Sequence, residues 1–180
     1  MENLKKKIQD IVNLYKSKKF SEAELQGKKL ITHHPKVSFL YNFLGLVMIE
    51  QKKYDEALNF FEAGIKIKPD YAMIYNNLGM LYAIKNDYIK AENYYKKSIN
   101  LDYKLYEAQN NLGNLYIDVN KYEDAIDCFI NSINIKPNSY ITHYNLGVAY
   151  KSIGKFDKSK NHLEQSIKLY PQFCKAHRTL

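Results

Sequence analysis

Arginine and cysteine are scarce in this 180-residue sequence, and each scarcity argues against a class of function. Arg178 is the only arginine, so the net charge of +8 comes from lysines. Lysine lacks the guanidinium group, which makes paired hydrogen bonds to guanine and to phosphate. We therefore expect no nucleic-acid partner. Cys128 and Cys174 belong to no CxxC motif or Cys/His cluster, which argues against a disulfide framework or a zinc site and predicts buried, reduced thiols.

Glycine and proline are also few, at seven and four, and the stretches between them carry apolar residues at helical spacing. This pattern predicts an all-α protein. The N-terminal segment MENLKKKIQDIVNLYKSKKF mixes charged with apolar residues and lacks the uninterrupted apolar run of a signal peptide or a membrane span. We expect a cytoplasmic protein without a membrane partner.

What the sequence does have is a repeat of 34 residues. Four of the seven glycines, at positions 45, 79, 113 and 147, follow one another at this interval. Each lies in a similar string: YNFLGLVM, YNNLGMLY, QNNLGNLY and HYNLGVAY. Later in each unit two small residues recur with an aromatic residue or leucine between them, as in Ala57, Phe61 and Gly64. The spacing predicts two antiparallel helices per unit that approach closely at the small residues.

Prolines at positions 35, 69, 137 and 171 mark the end of each second helix, and Tyr103 takes this place in one unit. The pattern resembles the tetratricopeptide repeat (TPR) family, although tyrosine, glutamine or histidine replaces the usual tryptophan of the first helix. The resemblance implies one right-handed α-solenoid domain over residues 1–180. Its repeats would be 4–37 (degenerate, with Ile11 in the glycine position), 38–71, 72–105, 106–139 and 140–173, followed by a truncated sixth first helix, 174–180.

The predicted helices follow from this phase. Their ranges are 3–17, 20–33, 38–51, 54–67, 72–85, 88–101, 106–119, 122–135, 140–153, 156–169 and 173–180. Because the last repeat stops after its first residues, we expect the chain to be a fragment of a longer protein.

In a solenoid of this family the first helices line the concave groove. Asn77, Asn111 and Asn145 each lie two residues before a glycine, so they would form a ladder along the groove. Their amides can bind an extended peptide backbone, similar to the asparagine ladder in the TPR superhelix of O-GlcNAc transferase. The alternative is that these asparagines satisfy loops or water.

Three hydrogen bonds at roughly 0.5 to 1.5 kcal/mol each fall short of the ~8 kcal/mol of micromolar binding, so other contacts must contribute. An apolar patch is predicted at the N-terminal end of the groove, with core packing as its alternative; it comprises Phe39, Phe43, Leu46, Met73 and Met80.

A second resemblance is to the carboxylate clamp of chaperone-binding TPR domains. Asn114, Asn145 and Lys175 match that clamp in type and place. Asn110 stands where the clamp needs a lysine, and Arg178 is one residue away from its expected position.

Motifs for catalysis are missing from the sequence. It contains no GxxxxGK[ST], GxGxxG or GxSxG string. His33 and His34 close a helix, while His143, His162 and His177 stand alone along the sequence, without ligand partners at metal-binding spacing. We expect no enzyme activity, no cofactor and no metal.

The leading hypothesis is therefore a scaffold that binds a protein or an extended peptide in its concave groove. An alternative is a substrate-recruiting arm of a larger sulfotransferase or glycosyltransferase, because the final PQFCKAHRTL is similar to the junction in bacterial TPR fusions. A third possibility is self-association through the ends of the solenoid.

Overall fold

The computed structural model describes residues 2–180, with side chains from residue 4 onward. Within this range the chain forms eleven α-helices, of which the first ten make five consecutive pairs and the last stands alone. Their bounds are α1 Glu2–Lys16, α2 Phe20–His33, α3 Ser38–Glu50, α4 Tyr54–Ile67, α5 Ala72–Ile84, α6 Tyr88–Leu101, α7 Tyr106–Asp118, α8 Tyr122–Ile135, α9 Tyr140–Ser152, α10 Phe156–Leu169 and α11 Cys174–Thr179. The predicted all-α solenoid of helix pairs is confirmed.

Each first helix from α3 to α9 ends one residue earlier than the sequence predicted, because the chain turns sharply there. After α3, Lys52 has a φ of 60°, and the N–H groups of Lys52 and Lys53 donate to the carbonyls of Ile49 and Met48, both at 2.9 Å. This is the paired hydrogen-bonding pattern of a Schellman C-cap. Residues in the same left-handed conformation follow the other first helices: Lys18, Asn86, Asn120 and Gly154.

The in-phase glycines bring the two helices of a repeat together. A Cβ on Gly79 would lie 2.6 Å from the Tyr95 ring, which leaves no room for a side chain. In the first repeat the sizes are exchanged: Ile11 stands in the glycine position and Gly27 in the position of the aromatic residue. Ile11 is fully buried, so the degenerate repeat packs with the large side chain on the opposite helix.

The recurring small residue near the end of each second helix also takes part in a hydrogen bond between the two helices of the repeat. The Ser98 hydroxyl donates to the backbone carbonyl of Ala72 at 2.8 Å, and the corresponding serines of the next two repeats, Ser132 and Ser166, make the same bond. In the second repeat Gly64 occupies this position, and the Ser38 hydroxyl donates to the Gly64 carbonyl at 3.0 Å instead. A hydrogen bond from a buried serine thus links the two helices of each of these repeats.

The side chain in the tryptophan position ties each first helix to the preceding turn. Tyr75 donates its hydroxyl to the carbonyl of Pro69 at 2.9 Å, and His177 makes the same bond to Pro171 at 2.8 Å. Tyr41 and His143 repeat the bond to the carbonyls six residues before them. The one turn without proline, which has Tyr103, is followed by a helix with Gln109 at this position, so the bond is absent there.

One expectation about the cysteines is wrong. Cys128 is buried as predicted, and burial raises the pKa of its thiol to about 12. Cys174 is exposed, because it is the first residue of α11, beside the last turn. Within residues 2–180, no helix combines the length and apolar character needed to cross a bilayer.

Candidate functional site

The inner surface of the solenoid is formed by the first helices. Helices α3, α5, α7 and α9 contact one another in succession, while the second helices α4, α6 and α8 lie farther apart. A curved array brings its elements closest together on the inside of the curve, so the first helices line the concave groove.

The predicted asparagine ladder is part of a larger hydrogen-bonded network. Asn77 Nδ2 donates to Asn42 Oδ1 on the preceding first helix at 2.8 Å, and Asn77 Oδ1 accepts from Asn76 Nδ2 at 3.3 Å. Asn111 Nδ2 in turn donates to Asn76 Oδ1 at 3.0 Å. The amides therefore form one continuous chain across α7, α5 and α3. Asn42, Asn76 and Asn77 are each only 4% exposed, so this end of the ladder is a buried structural network.

A second asparagine group lies farther along the groove and is partly exposed. Asn145 Nδ2 on α9 donates to Asn114 Oδ1 at 2.8 Å and to Asn110 Oδ1 at 3.3 Å, both on α7. In the described part of the chain, Asn111 Oδ1, Asn145 Oδ1 and the Nδ2 groups of Asn110 and Asn114 have no protein partner. Two acceptors and two donors are thus left for a ligand, all on α7 and α9.

The apolar patch divides between the core and the surface. Phe43 is 5% exposed and belongs to the hydrophobic core, where the Tyr15 ring packs against its ring at 6.0 Å. Phe39 stacks on Phe43 at 6.3 Å and stays partly exposed. Leu46, Met73 and Met80 are partly exposed as well. The surface available to a ligand therefore excludes Phe43.

The C-terminal end of the groove is basic. Tyr144, Lys175, Arg178 and Thr179 surround an open depression of about 370 Å³. Lys175 and Arg178 are exposed, and no carboxylate of the described chain lies within 4.0 Å of either. Along its length, the groove changes from apolar through amide to cationic.

Family models account for most of the repeats. A model described as TPR repeat matches residues 45–84 and 113–154, and two models of the tetratricopeptide repeat match residues 72–105 and 140–173. The chain belongs to the tetratricopeptide repeat family. Its fold is therefore that of a protein-interaction scaffold, a fold typical of proteins without catalytic activity. No curated protein sequence matches the chain.

Solved TPR structures have the same architecture. MamA matches with a TM-score of 0.72 at 19% identity, over 91% of this chain and 95% of its own. YrrB, described as a TPR protein with an unusual peptide-binding site, matches with a TM-score of 0.68 at 19% identity, over 96% and 89%. A thermophilic TPR protein of Thermus thermophilus, TTC0263, matches with 0.83 at 13% identity, over 98% and 96%. At these identities the likeness shows the fold alone.

Three further asparagines in the TPR phase belong to the network, a role that our sequence interpretation did not predict. Asn42, Asn76 and Asn110 recur at the 34-residue interval, one residue before the positions of the predicted ladder. They supply the acceptors for Asn77, Asn111 and Asn145. The repeat spacing could have identified them, because residues in equivalent positions of adjacent first helices must lie side by side.

Two histidines that stand alone in the sequence meet in the TPR fold. The Nδ1 atoms of His143 and His162 lie 3.1 Å apart between α9 and α10. His143 Nε2 must donate to the carbonyl of Pro137 at 3.0 Å, so its Nδ1 accepts from His162 Nδ1–H. Burial, and then the neighbouring His143 and Lys158, lower the pKa of His162. Within residues 2–180, no group of three or more potential metal ligands forms.

Proposed function

We propose that this TPR protein binds an extended segment of a partner protein in its concave groove, with the polypeptide backbone on α7 and α9. The observation that carries the proposal is the set of amide groups left over by the asparagine network. A peptide backbone alternates donors and acceptors, and Asn110, Asn111, Asn114 and Asn145 offer both kinds. Such contacts bind backbone and do not select side chains.

Flanking surfaces would supply the remaining affinity and the direction of the segment. Four hydrogen bonds contribute about 2 to 6 kcal/mol, below the ~8 kcal/mol of a micromolar complex. Phe39, Met73 and Met80 offer apolar surface toward α3 and α5, and flexible methionines adapt to varied side chains. Lys175 and Arg178 favour an anionic group at the other end. The preferred segment is apolar at one end and acidic at the other.

The test is a peptide-display selection on the full chain, followed by affinity measurements with one selected peptide. We expect Asn111→Ala with Asn145→Ala to weaken binding by about tenfold to a hundredfold, since each lost hydrogen bond costs about 1 kcal/mol or more. A matched double variant, Asn131→Ala with Asn134→Ala, changes two exposed asparagines of the second helix α8. It should bind as the unmodified chain does.

Equal affinity of the groove variant and the α8 variant, with both folded, would refute the groove as the binding surface. We leave Asn77 out of this test because its side chain is buried. Asn111→Ala also removes the donor to the buried Asn76 Oδ1, so the urea-unfolding midpoint of the groove variant is measured beside its affinity.

A further inference from the structure

In two of the later repeats, the third and the fifth, side-chain rings stack in the space between the first and second helices. In the third repeat Tyr94 of α6 stacks between Tyr82 at 5.3 Å and Tyr75 at 6.4 Å, measured between ring centroids. In the fifth repeat His162 has the same position, 5.4 Å from His143 and 5.7 Å from Tyr150. These rings fill the gap between the two helices.

The first repeat has no ring at the equivalent positions. Two repeat lengths, or 68 residues, before Tyr75, Tyr82 and Tyr94 stand Lys7, Leu14 and Gln26. The gap between α1 and α2 is consequently open, as a groove of about 550 Å³. Ile11 and Leu30, both buried, contribute to its lining. Its volume lies in the range of sites that bind small ligands.

The entrance to this groove is basic. Lys7, Lys29 and His33 line it and are exposed, with Asp10 as the one carboxylate among the lining residues. No carboxylate lies within 4.0 Å of the ammonium group of Lys7 or Lys29 among the described ion pairs. The whole first repeat is cationic: residues 4–37 contain nine lysines and three acidic residues, against eighteen basic and fifteen acidic residues in 38–180.

We propose that the α1–α2 groove binds an acidic peptide segment of a partner protein through one aromatic side chain. The aromatic ring would fill the space that tyrosine or histidine rings occupy in later repeats, and flanking carboxylates would contact Lys7 and Lys29. This site is separate from the concave groove, because its lining comes from α1 and α2 and includes none of the groove asparagines. The scarcity of arginine favours a carboxylate partner over nucleic acid.

The probe is a fluorescein-labelled peptide, Glu-Asp-Glu-Phe-Glu-Asp-Glu, titrated with the full chain by fluorescence anisotropy. A matched peptide carries alanine in place of phenylalanine. Because burial of an aromatic side chain contributes about 1.5 to 3 kcal/mol, we expect the phenylalanine peptide to bind about tenfold to a hundredfold more tightly. Equal affinities for the two peptides would overturn the proposal, and so would tighter binding of an oligo-dT strand.

Two variants locate the site. Gln26→Tyr restores the ring that the third repeat has as Tyr94, so it fills the groove; it should lower the affinity for the phenylalanine peptide to that of the alanine peptide. Lys7→Gln with Lys29→Gln should weaken both peptides by about fivefold to tenfold and reduce the salt dependence of binding. Two exposed lysines elsewhere, Lys104 and Lys155, serve as the matched glutamine control.

Binding that survives Gln26→Tyr unchanged would overturn the proposal, because the ring would then lie elsewhere. The variant Asn111→Ala with Asn145→Ala should bind this probe normally. If instead it loses the probe, the peptide lies in the concave groove and the α1–α2 site is refuted.

Discussion

Removing the Asn77 side chain should destabilise the protein by about 3 to 4 kcal/mol, because Asn77 stabilises the fold. Asn77→Ala removes two amide hydrogen bonds, to Asn42 and from Asn76, each contributing about 1 kcal/mol. It also leaves Asn42 Oδ1 without its donor on a residue that is 4% exposed, which adds about 1 to 2 kcal/mol. Asn145→Ala should cost less than about 1 kcal/mol, because water reaches the acceptors that it leaves.

Urea unfolding followed by far-ultraviolet circular dichroism measures both variants against the unmodified chain. A double-mutant cycle with Asn42→Ala isolates the bond between Asn42 and Asn77, and we expect a coupling free energy of about 1 to 2 kcal/mol. If Asn77→Ala unfolds within about 0.5 kcal/mol of the unmodified chain, or couples no more strongly than Asn145→Ala, the buried network does not stabilise the solenoid and our reasoning fails.

Three further predictions concern packing, the turns and pH. Gly79→Ala should destabilise by about 1 to 2 kcal/mol in urea unfolding, because overpacking against Tyr95 exceeds the helix propensity that alanine gains; an unchanged midpoint would contradict this. Lys52→Gly should stabilise by about 0.5 to 1 kcal/mol by removing left-handed strain, and a loss of stability would argue against that strain. The pKa of His162 is lowered on folding, so the unfolded chain binds more protons than the folded chain and stability should fall as pH drops below about 6.5. His162→Tyr removes this titrating group, so the urea-unfolding midpoint of the variant should change less between about pH 7.5 and about pH 5.5.

The sequence was sufficient to predict the helix pairs, because the repeat constrains every unit at once. Glycine in phase, a ring on the facing helix and proline at the turn each predict the same two-helix unit, and the helix bounds agree to within about two residues. The ends of the first helices were missed because Lys52 does not mark a left-handed turn as glycine does. Gly154, Asn86 and Asn120, in the equivalent turns of later repeats, are residue types that favour this conformation, whereas lysine is not.

The site was predictable only in part. Repeat phase indicated that Asn77 and Asn111 occupy equivalent positions, but not that their burial differs. That difference comes from packing. Asn77 is on α5, between α3 and α7, and its amide bonds to Asn42 and Asn76; Asn111 is partly exposed, and its Oδ1 has no partner among the described residues. The hydrogen-bond partners of a polar side chain depend on its neighbours on two other helices, which one position in a repeat does not specify.

The departures from the repeat pattern fall in pairs, and the fold explains the pairing. A side chain on a first helix and the one 19 residues later face each other across the gap between the helices, so both change together. Tyr75 faces Tyr94, and His143 faces His162 at 5.4 Å. Lys7 and Gln26 have the same separation. Neither position has a ring, and Leu14 stands at the third stacking position, so the gap between α1 and α2 is open as a groove. The weakest match to the family pattern is therefore where a second binding site should be sought.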